Sequence, residues 1–153
     1  MTNLTIGNSE LIMFLNEIEA CDSSIEWLQD RNSEQMWNDC PRGDWMLWLL
    51  HKLNINKRTF TLCKGKCAET VKHLMKDDRS RNAVEVVVRY GNGEATDKEL
   101  EAAASAYDAT YAAAASASAY AAKKENQQQT ADIVRRIVSH EQLLQLIKDY
   151  GKC

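Results

Sequence analysis

The sequence predicts an all-α fold, a single-domain multi-helix bundle built around a long alanine-rich central helix. Three observations predict it. Helix breakers are scarce, with one proline (Pro41) and six glycines in 153 residues. Apolar residues recur at three- and four-residue intervals in nearly every segment. Late in the chain, thirteen of the twenty-one residues from Ala102 to Ala122 are alanine, the strongest helix former. The length is that of one domain able to bury one sizeable core, divided into an acidic, tryptophan-rich part (9–53), a basic helix (57–76), an alanine-rich helix (96–126) and C-terminal helices (130–150).

The elements follow in order. Ser9 stands before Leu11, Ile12, Leu15 and Ile18, a short amphipathic helix with a polar cap. Asp22 or Ser23 caps a second helix with Ile25 and Leu28 inward and Trp27 beside them, and Ser33 caps a third turn holding Met36 and Trp37. Pro41-Arg42-Gly43 breaks the chain, and Asp44 is placed to cap the next helix, Trp45 to Leu53. That helix is apolar in nearly every direction, so Trp45, Trp48, Leu49 and Leu53 are expected in the core.

Lys57 to Met75 reads as one longer helix, with Phe60, Cys63, Cys67, Val71 and Leu74 inward and Gly65 weakening its middle by roughly 1 kcal/mol. Asp77 to Arg81 is a polar link. Ala83 to Tyr90 carries Val84, Val86, Val87 and Val88, residues that favour strand. Standing alone between helical segments, it is read as helix. Thr96-Asp97-Lys98-Glu99 is a capping box that starts the alanine helix. There Leu100, Tyr107 and Tyr111 share one face and Tyr120 points the opposite way. Small residues on two sides let neighbouring backbones approach closely. Helices near Ala131 to Val138 and Glu141 to Tyr150 complete the chain.

Charge is unevenly distributed. The first fifty residues carry nine carboxylates against Arg31 and Arg42, a net of −7, whereas the whole chain is only −3. Such a segment attracts a basic partner and speeds encounter, unless it docks on the basic Lys57–Arg89 stretch of the same chain. Candidate partner-binding residues are Glu26, Asp30, Glu34, Arg42, Asp44 and, on the alanine helix, Tyr120. Asp44 reads first as a helix cap satisfying unpaired amides.

The chemistry of an enzyme is not visible. Gly91-Asn92-Gly93 lacks phosphate-binding spacing, and His51, His73 and His140 fall at unrelated helical positions with no nucleophile elbow. Cys63 and Cys67 share a helical face, but no second Cys or His pair completes a zinc set. No cofactor or metal is expected. Five cysteines without an export signal at Met1–Glu10 are expected as reduced thiols, and the cytoplasm is the expected location. No run of eighteen apolar residues occurs, so no membrane span is expected. A net-negative chain without a recognition motif argues against nucleic acid.

Several blocks carry a likeness. Ala20-Cys21, Glu26-Trp27, Trp37 with Cys40, Arg42-Gly43-Asp44-Trp45-Met46-Leu47-Trp48-Leu49-Leu50, Cys63 with Cys67-Ala68-Glu69, and the Glu101-Ala-Ala-Ala run resemble an alanine-rich family of immunity proteins found in bacteria and phages. The likeness spans about residues 18 to 138. It implies a non-catalytic binder that neutralises a protein effector, an inhibitor of a toxin, and transfers no catalytic residues. Two other readings stand beside it: a phage-encoded inhibitor of a host defence complex, and a self-associating structural protein using the alanine surface.

Overall fold

A computed structural model describes residues 5–105 and 120–151, with backbone alone at 120–123. Among these residues every regular element is helical. The helices are α1 (Asn8–Glu17), α2 (Asp22–Leu28), α3 (Ser33–Asp39), α4 (Gly43–Lys52), α5 (Lys57–Glu69), α6 (Asp78–Gly91), α7 (97–105), α8 (Tyr120–Ile137) and α9 (His140–Asp149), with a 3₁₀ turn at Lys72–Leu74. The valine-rich stretch lies in α6, where Val84 and Val87 fall three residues apart on the buried face. Most of the alanine run, including Tyr107 and Tyr111, lies outside the described residues.

Two apolar clusters organise the molecule. The larger joins Leu11, Leu15 and Ile18 of the first helical segment to Trp37, Leu50, Cys63, Cys67, Val134, Val138 and Leu143. The smaller packs Ala68, Val71 and Met75 against Ala83, Val84 and Val87, with Leu100 and Ala103 alongside. Helix α5 lies between them, and its two sides serve both. The most extensive helix pairs are α5 with α6 and α4 with α8. Glycines permit both approaches. A Cβ on Gly43 would lie 2.8 Å from the Ala131 backbone nitrogen of α8, and one on Gly65 would lie 2.9 Å from a Val87 methyl of α6. Gly65 therefore admits a neighbouring helix, and its low helix propensity is the lesser of its effects.

The helix starts differ from the sequence expectation in a consistent way. Ser9 lies inside α1, whose N-cap is Gly7; Asp22 and Ser23 lie inside α2, whose N-cap is Cys21. Asn32, not Ser33, caps α3, in a capping box with Gln35. Ser33 instead serves tertiary structure. Fully buried, its hydroxyl accepts from the Ile6 amide at 2.9 Å and lies 2.9 Å from His140 Nε2 of α9. Arg42 is the N-cap of α4, and Asp44 turns back to pair with it. Asp77 caps α6 from Asp78, so the expected polar link is already helix. Thr96 and Glu99 do form the expected box.

Further corrections concern length and burial. The basic helix ends at Glu69, because Val71 adopts a non-helical conformation and the chain tightens into the 3₁₀ turn. Leu74, expected inward, is exposed. Helix α8 runs unbroken through Gln127–Gln129, where the sequence suggests a division. In α4, Met46, Leu49 and Leu50 face the core and Leu53 follows them in, but Trp45 is half-buried and Trp48 is 39% exposed. A ten-residue surface helix has one buried stripe, and the tryptophans fall beside it. The buried indole is Trp37, 1% exposed, whose N–H donates to the Val138 carbonyl at 2.8 Å.

Two predictions follow from this packing. Trp37→Ala should cost roughly 3–5 kcal/mol, as for buried aromatics cut to alanine, and Trp48→Ala about 1 kcal/mol or less; denaturant titration yields both, and equal losses would contradict the burial pattern. The second concerns pH. Burial lowers His140 from its ordinary 6.5, against the raising influence of Glu34 and Glu141. The Ser33 hydroxyl, which accepts from Ile6, lies 2.9 Å from Nε2, and burial of the ring disfavours its charged form. The unfolded chain then takes up the proton first, so stability should be complete above pH 6.5 and decline as pH falls toward the lower folded value. His140→Gln should remove this component, which develops as pH falls below 6.5; an unchanged pH dependence in the variant would refute the assignment.

Candidate functional site

The first four helices enclose a cleft of about 320 Å³ on the acidic part of the molecule. Its floor is apolar, with Leu15 from α1, Met36 and Trp37 from α3, and Met46 and Leu49 from α4. Its sides are aromatic. Trp27 of α2 and Trp45 of α4 stand with ring centroids 6.3 Å apart and planes at 57°, and Trp48 joins them at the surface.

The protein's own cations brace these rings. Arg31 lies 4.3 Å from the centre of the Trp27 ring, and its guanidinium also donates to the Trp27 carbonyl at 2.7 Å. Arg42 lies 4.4 Å from the Trp45 ring and grips Asp44 through two bonds, Nε to Oδ1 at 3.0 Å and a terminal nitrogen to Oδ2 at 2.6 Å. That pairing holds the Arg42 guanidinium above its ordinary value. Asp44 thus orients a cation over an indole at the mouth of the cleft, and its expected capping role is not what the structure shows.

The rim is mixed, with two carboxylates among small and polar residues. Glu19 occupies the α1–α2 link at φ 65°, and with Ala20, Cys21, Ser24 and Asp44 it completes the lining. Cys21 is exposed, and its thiol is held below its usual range by the Ser24 hydroxyl and amide beside it, against a small opposing effect of burial. Cys40 lies at the back, and burial raises its thiol.

Of the residues singled out from sequence, Arg42 and Asp44 meet at this cleft. Glu26 is exposed on α2, Asp30 on the turn after it, and Glu34 in the first turn of α3. Tyr120 begins the described part of α8, and its side chain lies outside the described residues. The sequence reading missed Glu19, Cys21, Ser24, Trp27 and Trp48 as a group. A signal existed, because all four tryptophans fall between residues 27 and 48, but it was assigned to the core.

Among the described residues no three His, Cys, Asp or Glu side chains converge. Burial pushes both Cys63 and Cys67 up to about 12, so both are protonated thiols at neutral pH. Also among the described residues, no helix is long and apolar enough to cross a membrane. Compared with protein-family models, curated proteins and solved structures, the chain matches none.

The thiols provide a check on this geometry. In a Cys153→Ser background, Cys21 should take up a thiol reagent within the folded state at neutral pH, because the reactive thiolate is both exposed and favoured there. Cys63 and Cys67 should react only on unfolding. Mass mapping of the labelled peptides reads the order, and early labelling of Cys63 would contradict the packing of α5.

Proposed function

We propose that this chain is a non-catalytic binding protein that neutralises a basic protein effector, in the manner of an immunity protein blocking a toxin. The observation that carries the reading is that the acidic third keeps its charge. Among the described residues, Glu26, Asp30 and Glu34 form no ion pair. The pairs of the basic segment go elsewhere: Lys57 to Asp97 at 3.7 Å, Lys66 to Glu69 at 3.5 Å, Lys72 to Glu85 at 3.0 Å, Arg81 to Asp78 and Arg89 to Glu99 at 3.7 Å. Internal docking of acidic on basic segments therefore does not account for the charge. Exposed carboxylates without an internal partner support recognition of a positively charged surface, since such fields raise association rates by about 10- to 1000-fold. The resemblance of several blocks to immunity proteins, above all Arg42 to Leu50, supports the same reading.

The test is charge reversal. The triple variant Glu26→Lys, Asp30→Lys, Glu34→Lys should melt within about 2 °C of the parent, because exposed charges stabilise a fold little. With the partner captured from the native host, its association rate should fall about tenfold or more, and the parent's rate should fall as salt shortens the Debye length below about 10 Å. An acidic partner, or a rate indifferent to both salt and reversal, would overturn the proposal.

A further inference from the structure

We infer that the cleft between α1, α2, α3 and α4 is a binding site for a small uncharged aromatic molecule that carries a hydrogen-bond donor, of the phenol or indole class. The inference is independent of the reading of Glu26, Asp30 and Glu34 as a site for a basic protein, and either can fail with the other standing.

Size and surface limit the occupant first. At about 320 Å³ the cleft lies at the small end of pockets that enclose ligands (about 300–1,000 Å³), which suits one or two rings better than a nucleotide-sized molecule. Met36 and Leu49 lie at its floor, and Trp27, Trp45 and Trp48 supply flat apolar walls, against which an aromatic ring packs offset or edge-on. These walls are set beforehand. Arg31 lies over the Trp27 ring while bonded to the Trp27 carbonyl, and Arg42 lies over the Trp45 ring while held by Asp44. Little ordering remains to oppose binding.

Charge narrows the class. The Arg42–Asp44 pair cancels itself at the mouth. A cationic ligand would meet rings that already carry Arg31 and Arg42 at 4.3 and 4.4 Å, with Lys52 6.0 Å from Trp48, and these cations would repel it. An anionic ligand would meet Glu19, a lining carboxylate that forms no ion pair among the described residues. A neutral ring meets neither obstacle.

Hydrogen bonding narrows it again. The Ser24 hydroxyl donates its proton within the chain, to the Cys21 carbonyl at 2.7 Å, and the Glu19 carboxylate only accepts. The polar edge that these two lining residues present is therefore an accepting one. A hydroxyl or ring N–H on the ligand answers it.

The test uses p-cresol as the neutral donor, toluene without the donor, benzoate as the anion and benzylamine as the cation. Calorimetry reports binding, and the rate of Cys21 alkylation in the Cys153→Ser background reports where it occurs, because Cys21 is exposed and lines the cleft. p-Cresol should bind saturably and slow the alkylation as it saturates. Toluene should bind about threefold or more weakly, as for one lost hydrogen bond, and benzoate and benzylamine about tenfold or more weakly, as for a charge taken into an apolar site. Ala20→Phe, which fills the cleft, should abolish p-cresol binding. Trp48→Ala, at an exposed position, should weaken it about threefold or more, as for one lost aromatic contact, and serves if the filled variant does not fold. Absence of saturable p-cresol binding, or binding that neither variant changes, would overturn the inference. Benzoate or benzylamine binding as tightly as p-cresol would overturn the uncharged class, and toluene doing so would overturn the donor. A parent that sediments as a dimer, and that Trp48→Ala converts to a monomer, would show the cleft occupied by a second copy and overturn the small-molecule site.

Discussion

A reciprocal clasp between the ends of α3 and α8 holds this molecule together. Arg135 of α8 reaches across about a hundred residues of chain to the last turn of α3. There its Nε donates to the Trp37 carbonyl at 3.2 Å and a terminal nitrogen donates to the Cys40 carbonyl. In return the Trp37 indole donates to Val138, just beyond the end of α8. Carbonyls at a helix C-terminus have no partner within the helix and attract positive charge. One arginine answers both needs for α3, and Asp132 steadies that arginine from the preceding turn of α8. Charge-assisted bonds of this kind contribute about 1.5–3 kcal/mol each, and here they accompany the burial of the one tryptophan fully inside the core.

The candidate site depends on the clasp. Met36, Trp37 and Cys40 form the back of the cleft, and all three lie in or beside the turn that Arg135 holds. On the opposite side, Gly43 lets the start of α4 rest against Thr130 and Ala131, which sets where Trp45 and Trp48 emerge. The cleft is thus bounded by two helices, α3 and α4, that are each fastened to α8. Its openings, by contrast, are built from short links and from α2, a helix of seven residues.

A similar arrangement recurs away from the cleft. Arg58 of α5 donates to the Tyr90 carbonyl at 2.7 Å, near the end of α6, while stacking 4.3 Å from the Tyr90 ring. The Tyr90 hydroxyl in turn donates to Asp97 at 2.8 Å, and this bond, with Lys57 nearby, holds the Asp97 carboxyl below its usual range. Twice, then, an arginine from one helix closes the C-terminus of another and an aromatic ring shares the contact. Neither motif can be seen from local spacing, because the partners lie 32 and about 98 residues apart.

The all-α fold, the helical reading of the valine-rich segment, the Thr96 capping box and the helix-facing residues Leu11, Leu15, Ile18, Leu49 and Cys67 were legible in the sequence, because periodicity and scarce breakers act within a few residues. The imbalance of charge was legible for the same reason: it is a count. Which tryptophan is buried, whether Asp44 caps or pairs, and whether Ser33 ends a helix or joins three segments were decided only by tertiary structure. A helix apolar on every side fits several orientations equally well, and a hydroxyl or carboxylate can satisfy a local amide or a distant partner at similar cost. Those near-equal local choices were settled by long-range contacts, chiefly the approach of α8 to Gly43 and the grip of Arg135 on α3. The same contacts turned the tryptophans flanking that buried stripe into the walls of a cleft.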